Sequence, residues 1–151
     1  MLTKKQTEKI RDTVDKLLRN AQSRLSKYDI QHTHFGPVHV YFGAGNYVRM
    51  YPLAPNGSIV VGSVDVEEKK QGKGYFKSFF NEVEALAESK NMRVVFESVV
   101  NNQLEEWLKT KGYELYPGGS YYKDVKEYNI KQEKEVLNDV LNTSPVNQFK
   151  R

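Results

Sequence analysis

Residues 59–80, IVVGSVDVEEKKQGKGYFKSFF, open the stretch of sequence that decides the fold, which extends to Tyr113. An apolar strand at 59–66 is followed by a basic turn that contains glycine, and then by an amphipathic helix. A second apolar strand at 92–100 and a further helix complete the stretch. Two strands that are joined by a helical crossover lie parallel and are buried on both faces. The stretch therefore predicts a parallel strand pair at the centre of a mixed sheet.

The turn Gln71-Gly72-Lys73-Gly74, between the first strand and its helix, is a candidate anion site. The first backbone N–H groups of a helix have no partner inside the helix, and the helix dipole is positive at that end. Glycine lets a ligand approach the backbone closely. A glycine pair is also typical of an ordinary tight turn, and the mixed charges at 67–70 are typical of a solvated rim, so these interpretations stay open.

The composition limits the classes of protein to which the chain can belong. Its 151 residues, of which 38% are hydrophobic and 12% aromatic, are enough for one domain with a core. The absence of cysteine excludes disulfides, thiolate metal sites and a cysteine nucleophile. The net charge of +4 comes from interspersed residues, which indicates mild attraction to polyanions rather than a nucleic-acid interface. The charged start and the short apolar runs predict a cytoplasmic protein without a signal peptide or membrane span.

The segments on either side of the central stretch predict an order of helix, three strands, helix, strand, helix, two strands and helix. Two glycine-containing turns, Gly43-Ala44-Gly45-Asn46 and Pro55-Asn56-Gly57, separate the strands of an antiparallel meander. The outer elements are a helix within 3–27, meander strands at 38–42, 47–53 and from 58, closing strands at 114–116 and 121–125, and a last helix from 127. We expect a single domain over residues 1–142, with its core at about 38–125 and a flexible tail at 143–151.

Two motifs of the central stretch resemble those of the GNAT acyltransferase superfamily. The first is the sequence at 64–76, which is similar to the acyl-CoA-binding motif of that family. The motif consists of Arg or Gln, two residues, Gly, one residue, and then Gly or Ala. Gln71 and Gly74 match it, whereas Phe76 stands where a small residue is usual.

The second motif is Asn101 followed by a helix with Leu104, Trp107 and Leu108, which ends at Lys111-Gly112-Tyr113. It resembles the family's segment of an asparagine and a helix that ends in Gly-Phe or Gly-Tyr. The resemblance implies an α/β fold of the GNAT type, with a central mixed, twisted sheet that contains a splayed parallel strand pair. Helices would flank this sheet, and the N- and C-terminal helices would be additions of this chain.

The resemblance implies that the chain binds acetyl-CoA or another acyl-CoA. Backbone N–H groups of the glycine turn would wrap the pyrophosphate, with positive charge from Lys70 and Lys73. The pantetheine arm would pair with the strand at 64–66, and Asn101 would contact it from the other side of the splay while also capping its own helix. The residues predicted to bind the cofactor are Val64, Val66, Gln71, Gly72, Lys73, Gly74, Tyr75, Phe76 and Asn101.

The resemblance also implies transfer of the acetyl group to an amine by direct attack in a ternary complex, which requires a base and an acid. Asp65 and Glu97 are the candidate bases, because a carboxylate inside an apolar strand is costly unless it is used. Partial burial would raise the pKa of such a carboxylate toward neutrality. An equal alternative is that both carboxylates point to solvent or pair with Lys or Arg.

The acid that protonates the departing thiolate is often a tyrosine in this family, and Leu108 occupies its position here. Leu108 instead continues an apolar helix stripe, which indicates a core residue. The missing hydroxyl would be replaced by Tyr113, Tyr121 or Tyr122, by water, or not at all. Tyr113 and Tyr121 are our candidates for catalytic residues beside the two carboxylates.

The sequence leaves other functions open. His32, His34 and His39 suggest a metal site, but no nearby acidic or cysteine residue completes a ligand set, so no metal is predicted. The missing tyrosine and the bulky Phe76 also fit a catalytically inactive binding module that engages a protein partner or forms a homodimer. A nucleic-acid-associated or nucleic-acid-modifying protein is a further alternative. No feature selects the amine acceptor among proteins and small molecules.

Overall fold

The computed structural model describes residues 1–124, which form a six-stranded mixed sheet with three α-helices. The elements are α1 (Lys4–Gln22), β1 (Tyr28–Phe35), β2 (Val38–Gly45), β3 (Ser58–Val66), a 3₁₀-helix (Glu68–Lys70), α2 (Tyr75–Lys90), β4 (Arg93–Phe96), α3 (Asn102–Thr110), β5 (Glu114–Tyr116) and β6 (Ser120–Asp124). The strand order is β1-β2-β3-β4-β6-β5, with β3 and β4 parallel. The predicted mixed α/β fold with a central parallel pair is confirmed. The predicted helix from residue 127 and the tail lie outside the described residues, and the single domain over 1–142 stays a prediction.

Local sequence explains where the two long helices begin and end. The side chain of Thr3 accepts a hydrogen bond from the backbone N–H of Gln6 at 3.1 Å, and the side chain of Gln6 accepts one from Thr3 at 2.9 Å, which forms a capping box for α1. Helix α2 follows Gly74 and ends at Lys90, and the next residue, Asn91, has a φ of 54°, the left-handed conformation common at helix ends. The start of α1 and the end of α2 therefore coincide with local signals.

The strands before α2 differ from the predicted meander. The prediction misses β1 at Tyr28–Phe35, and the segment at 47–53 is a loop rather than a strand. Strand β2 runs through the predicted glycine turn as far as Gly45. The glycines serve close packing here, because a Cβ at Gly43 would collide with the hydroxyl of Tyr28, and Gly45 lies against the backbone of Lys27. Strand β1 lacks a strong apolar signal because one of its faces is exposed.

Strands β3 and β4 are paired over only four residues each. The pairing runs from Ser58 opposite Arg93 to Val61 opposite Phe96. Strand β4 ends there, whereas β3 continues to Val66 beside β2 alone among the described strands. The two parallel strands therefore separate after their fourth pair and leave a wedge between them.

Two backbone features produce this divergence. Ser98 has a φ of 52°, an unusual value for a residue with a side chain, and it turns the chain away from the sheet. The predicted strand at 92–100 is therefore four residues too long at its end. On the other side, the register between β2 and β3 shifts opposite Tyr41 and Phe42, so that Gly62 is the extra residue of a bulge. The bulge bends β3 away from β4.

The sheet has two unequal faces. Helices α1 and α2 cover one of them, which we call the helix face, and the main core lies there. Its fully buried aromatic side chains are Phe35, Phe42, Phe79, Phe80, Phe96 and Tyr121. The opposite face, which we call the open face, carries a small cluster of Tyr47, Met50, Val60 and Val95 under the loop that follows β2. The wedge between β3 and β4 connects these two faces.

Candidate functional site

A cavity of about 520 Å³ lies at the end of β3, between the first turn of α2 and helix α3. Its lining residues are Val64, Asp65, Val66, Lys70, Gln71, Gly72, Gly74, Tyr75, Phe76, Lys77, Asn101, Gln103, Leu104 and Trp107. A second cavity of about 150 Å³ fills the wedge itself and shares Val64, Asn101 and Leu104 with the first. We call the two together the cleft. It runs from the glycine turn to the point where β3 and β4 separate.

The cleft brings together most of the residues that the sequence predicts for the cofactor. The predicted residues that line it are Val64, Val66, Gln71, Gly72, Gly74, Tyr75, Phe76 and Asn101. Lys73 does not line it, whereas Lys70 and Lys77 do. Gln71 donates a hydrogen bond from its side chain to the carbonyl of Val66 at 3.0 Å. Of the two lysines expected at the turn, Lys70 therefore lies at the cleft, and Lys77, which the sequence analysis does not single out, lies there as well.

The glycine turn presents free backbone donors to the cleft. Gly72 and Gly74 have φ values of 73° and 85°, and a Cβ at either position would meet nothing within 4 Å. Gly74 precedes α2 without a side-chain cap. Within residues 1–124, the amides of 72–77 make no hydrogen bond. Successive free amides at the positive end of a helix form an anion-binding concavity.

Phe76 forms a wall of the cleft without filling it. Its ring lies 6.1 Å from that of Phe80 and meets the ring of Trp107 edge-on at 6.4 Å. The indole N–H of Trp107 is buried and has no hydrogen-bond acceptor among the described residues. The bulky side chain at the usual place of a small one is thus accommodated by aromatic packing, and the cavity stays open beside it.

Asn101 both caps helix α3 and lines the cleft. Its side-chain oxygen accepts a hydrogen bond from the backbone N–H of Leu104 at 2.9 Å, which caps α3. The same residue lines both cavities of the cleft. The cap holds Asn101 at the mouth of the wedge, on the side opposite β3.

Glu97 lies where the cleft meets the open face. It follows the last paired residue of β4 and lines the wedge cavity. It also lines a separate cavity of about 170 Å³, which we call the open-face pocket. That pocket is lined by Tyr47, Arg49, Met50, Glu97, Ser98, Tyr116, Pro117 and Ser120. One carboxylate therefore borders both the cleft and the pocket on the other side of the sheet.

Two side chains of the loop after β2 hold the Glu97 carboxylate. The hydroxyl of Tyr47 donates a short hydrogen bond to its Oε2, and Nη1 of Arg49 lies 3.3 Å from the same oxygen. Burial, and then the hydrogen bond to Glu97, raise the pKa of Tyr47, so this hydroxyl keeps its proton. Burial also raises the pKa of the neighbouring Tyr28. The sequence leaves open whether the candidate bases are partly buried or paired with Lys or Arg. Glu97 is both, since it is partly buried and pairs with Arg49.

Asp65, the other candidate base, has a different environment. It lies on the exposed edge of β3, opposite His39, and lines the larger cavity of the cleft. Within the described part of the chain it forms no ion pair. The burial on which its candidacy as a base depends is therefore absent.

The structure does not bring the candidate acids to the cleft. Tyr113 is buried in the main core and donates a hydrogen bond to Glu84 at 3.0 Å, and its burial raises its pKa. Tyr121 is buried on the helix face, and the hydroxyl of Tyr122 donates to Glu114 at 2.9 Å on the open face. None of the three lines the cleft or the open-face pocket.

Two tyrosines that the sequence analysis leaves without a role, Tyr47 and Tyr116, do line the open-face pocket. Tyr47 sits in a segment that is predicted as a strand, where alternate residues would be expected to pack against the sheet. A sequence signal exists in the neighbouring Arg49, because a charged residue is unusual in the middle of a half-buried strand. Tyr47 and Arg49 lie in the loop after β2, and this loop is the element that the sequence analysis misses.

The three histidines make contacts other than metal coordination. His32 stacks on Tyr41 with ring centroids 4.2 Å apart, and His39 lies 3.1 Å from Glu67. In the part of the chain that the structure describes, no group of three or more His, Cys, Asp and Glu residues is placed to hold a metal ion. Over the same residues, none of the helices has the length and apolar character needed to cross a membrane.

No protein-family model matches the sequence, and no curated protein matches it. Similar solved structures include a mutant of the AtaT toxin bound to the C-terminus of the antitoxin AtaR and acetyl-CoA, with 14% identity, a TM-score of 0.44, and coverage of 60% of this chain and 62% of that chain. The KacTA–DNA complex has 10% identity, a TM-score of 0.45, and coverage of 87% and 86%. Ard1 from Thermoplasma volcanium has 14% identity, a TM-score of 0.38, and coverage of 75% and 91%.

The chain spans about three fifths of the length of the AtaT chain in the first of these structures. The parallel pair and the wedge are those that the sequence resemblance implies.

Proposed function

We propose that the chain is an acetyl-CoA-dependent N-acetyltransferase of the GNAT type, which transfers an acetyl group to an amine while both substrates are bound. The observation that carries the proposal is the divergence of β3 and β4 after Val61 and Phe96. It opens a path from the glycine turn, through the wedge, to the carboxylate of Glu97. Acetyl-CoA is the ligand of the AtaT structures to which the chain is similar, and we assign the same cofactor to this cleft.

The residues of the cleft suit the phosphates and the amide arm of acetyl-CoA. The amides of 72–77 and the positive end of α2 would bind the pyrophosphate, with Lys70 and Lys77 as counter-charges. The edge of β3 at Val64 and Val66, which has no described strand beside it, would pair with the amides of pantetheine as an added strand pairs with a sheet.

Glu97 is the residue to which we assign the role of general base. When bound, acetyl-CoA supplies an acetyl group that is activated as a thioester. Glu97 borders both the wedge and the open-face pocket, so an amine in that pocket lies within its reach. Tyr47 and Arg49 hold its carboxylate in one orientation. We assign protonation of the departing thiolate to water, because the three candidate tyrosines face away from the cleft.

Binding of the cofactor is tested by thermal denaturation with and without acetyl-CoA. A ligand that binds the native state alone raises the melting temperature, by an amount that grows with its concentration over Kd. Gly74→Ala places a methyl group in the open space of the turn and should weaken the shift. Gly118→Ala is the matched control, because Gly118 also has a positive φ of 101° and an open Cβ position but lies outside the cleft. No shift for the unmodified chain at saturating acetyl-CoA would refute the proposed function.

Turnover is tested by release of the CoA thiol in the presence of a panel of amines. Glu97→Gln should lower kcat by roughly 10²- to 10⁴-fold and leave the acetyl-CoA melting shift intact, since a base acts on the amine rather than on the cofactor. Glu82→Gln, a substitution on α2 outside the cleft, should change neither quantity. Equal rates for the Glu97→Gln variant and the unmodified chain would remove Glu97 from the mechanism.

A binding module without catalysis is the second candidate function. The observation that favours it is that Leu108 is fully buried and that Tyr113, Tyr121 and Tyr122 lie away from the cleft, so none of these three tyrosines stands at the place of the acid that the resemblance implies. An acetyl-CoA melting shift without thiol release for any amine would support this candidate. A protein partner or a homodimer is then expected, whereas a nucleic-acid partner would show binding that falls steeply with salt.

A further inference from the structure

The open-face pocket contains two opposite charges at its rim. Nη1 of Arg49 lies 3.3 Å from Oε2 of Glu97, and their side chains are 76% and 20% exposed. So exposed an ion pair is weak and opens easily. A guanidinium has five N–H donors. Within residues 1–124, the guanidinium of Arg49 uses one of them, in the hydrogen bond to Glu97. Arg49 therefore keeps most of its hydrogen-bonding capacity for a ligand of the pocket.

The spacing of this pair matches the spacing of charges in an amino acid. The ammonium nitrogen and the nearer carboxylate oxygen of an α-amino acid are about 3 Å apart, as its bond lengths require. A molecule of this kind can pair its ammonium group with Glu97 and its carboxylate with Arg49 at once. Arginine and a carboxylate form a bidentate, geometrically specific pair. The charges of the pocket are thus complementary to a zwitterion.

The size and the walls of the pocket limit what the zwitterion carries. The volume of about 170 Å³ is roughly the share of six water molecules in the liquid. Tyr47, Met50, Tyr116 and Pro117 line the pocket beside the two charges. A pocket of this volume favours a side chain of moderate size. A purely cationic amine would instead lie beside Arg49, whose like charge disfavours it.

We propose that the acceptor is a free α-amino acid with a side chain of moderate size, an inference that rests on the proposed function. Its carboxylate accepts hydrogen bonds from the remaining N–H donors of Arg49, while its ammonium group lies against Glu97. Its ammonium group then gives one proton to Glu97, and the amine nitrogen forms the new C–N bond to the acetyl carbonyl. The C–S bond breaks as the thiolate leaves, the second proton of the nitrogen passes through water to that thiolate, and the products are an N-acetylamino acid and free CoA. The proton on Glu97 is released to solvent.

The test compares three amines with the same branched side chain, namely leucine, leucinamide, whose carboxylate is replaced by an amide, and 3-methylbutylamine, which lacks the carboxylate. Thiol release from acetyl-CoA is measured for each, with the unmodified chain and with Arg49→Gln. Leucine should give a kcat/KM at least tenfold above the other two. Arg49→Gln should raise the KM for leucine at least tenfold with a smaller change in kcat, and should lower kcat/KM for leucine at least tenfold more than kcat/KM for leucinamide or 3-methylbutylamine. Arg49→Lys should restore part of the loss.

Arg11→Gln is the matched control, because Arg11 also forms an exposed ion pair, with Glu82 at 3.6 Å, but lies outside the pocket. It should leave all three amines unchanged. A preference for leucinamide, or an equal effect of Arg49→Gln on all three amines, would overturn the inference and point to a peptide-like acceptor or a purely structural arginine. Failure of every amino acid in a chain whose melting temperature rises with acetyl-CoA would also overturn it, whereas absence of that rise would refute the proposed function itself.

Discussion

The two halves of β3 each contain two valines but differ in structure. Residues 58–61 are buried and are hydrogen-bonded to a strand on each side, whereas residues 62–66 alternate between exposed and half-buried positions and pair with β2 alone among the described strands. Both halves are rich in valine, which favours strands wherever it packs well. The difference is made by the partner, because β4 ends at Phe96. Because β3 is longer than β4, one end of β3 belongs to the core and the other end lines the cleft.

The stability of residues 58–61, the half of β3 that has a strand on each side, depends most strongly on a buried ion pair beside Ser58. Arg93, opposite Ser58, is 3% exposed, and it donates to Asp124 at 2.9 Å and to the carbonyl of Pro52 at 2.6 Å. Asp124→Asn should lower the free energy of unfolding by about 3–5 kcal/mol, because it leaves a buried guanidinium charge without its partner. Urea denaturation measures this loss. Asp15→Asn breaks the exposed pair with Lys90 and should cost about 1 kcal/mol or less, so equal losses would contradict the comparison.

The same substitution in each half of β3 sharpens the contrast. Val61 is 1% exposed in the main core, whereas Val64 is half-buried at the wall of the cleft. Val61→Ala should cost about 2 kcal/mol of unfolding free energy, from the lost methyl groups and the cavity left behind. Val64→Ala should cost less than about 1 kcal/mol and should weaken acetyl-CoA binding more. If the two variants lose equal stability in urea, the halves do not differ as the burial indicates.

Much of the central stretch follows from the sequence, because each of its signals is local. The apolar run before the glycine turn, the amphipathic stripe of α2 and the asparagine cap of α3 each predict an element that the structure contains. Strand β1 is the opposite case. It is an edge strand with His32 and His34 exposed, so its burial comes from α1 and β2, and no short-range pattern records those contacts. Gly43 and Gly45 predict a turn for the same reason, since the Tyr28 hydroxyl and the Lys27 backbone, against which they pack, are distant in sequence.

The candidate site divides in a similar way. The residues predicted to bind the cofactor are contiguous in sequence or lie at the start of a helix, so the resemblance to the two family motifs identifies them together. The open-face pocket joins the loop after β2 to Glu97 and to the β5–β6 turn, and such a meeting of distant segments depends on the whole sheet. The positions of two of the tyrosines considered as acids follow from the alternation of strand residues between opposite faces. Tyr121 and Tyr122 illustrate this, with one in the main core and the other on the open face.

Two tyrosines lie on either side of the point where β3 and β4 separate, and their pKa values show how far burial extends there. Tyr113 packs against Phe96, the last paired residue, and Tyr47 binds Glu97, the first unpaired one. Burial raises the pKa of both above the ordinary value of about 10. The native state therefore holds these protons more tightly than the unfolded chain. Their contribution to stability is complete below pH 10 and is lost above it, by about 1.4 kcal/mol per pH unit for each group.

Urea denaturation between pH 8 and 11 measures this slope, and tyrosinate absorbance follows the ionisation. Tyr113→Phe and Tyr47→Phe should each make the alkaline slope shallower. A shallower slope for Tyr113→Phe alone would mean that the open-face cluster admits water freely. That result would separate the two sides of the divergence more sharply than the static burial does.

The smallest expected effect on stability separates the two roles of Asn101. Asn101→Ala removes the cap of α3 and should cost about 1 kcal/mol of unfolding free energy, whereas Asn101→Asp keeps a good capping side chain and should cost little. Thr3→Ala, which removes the cap of α1 outside the cleft, is the control for cap loss alone. If Asn101 contacts the cofactor across the wedge, both Asn101 variants should reduce the melting shift with acetyl-CoA, and Thr3→Ala should not. A normal shift for Asn101→Asp would confine this residue to capping, and β3 alone would then hold the pantetheine arm.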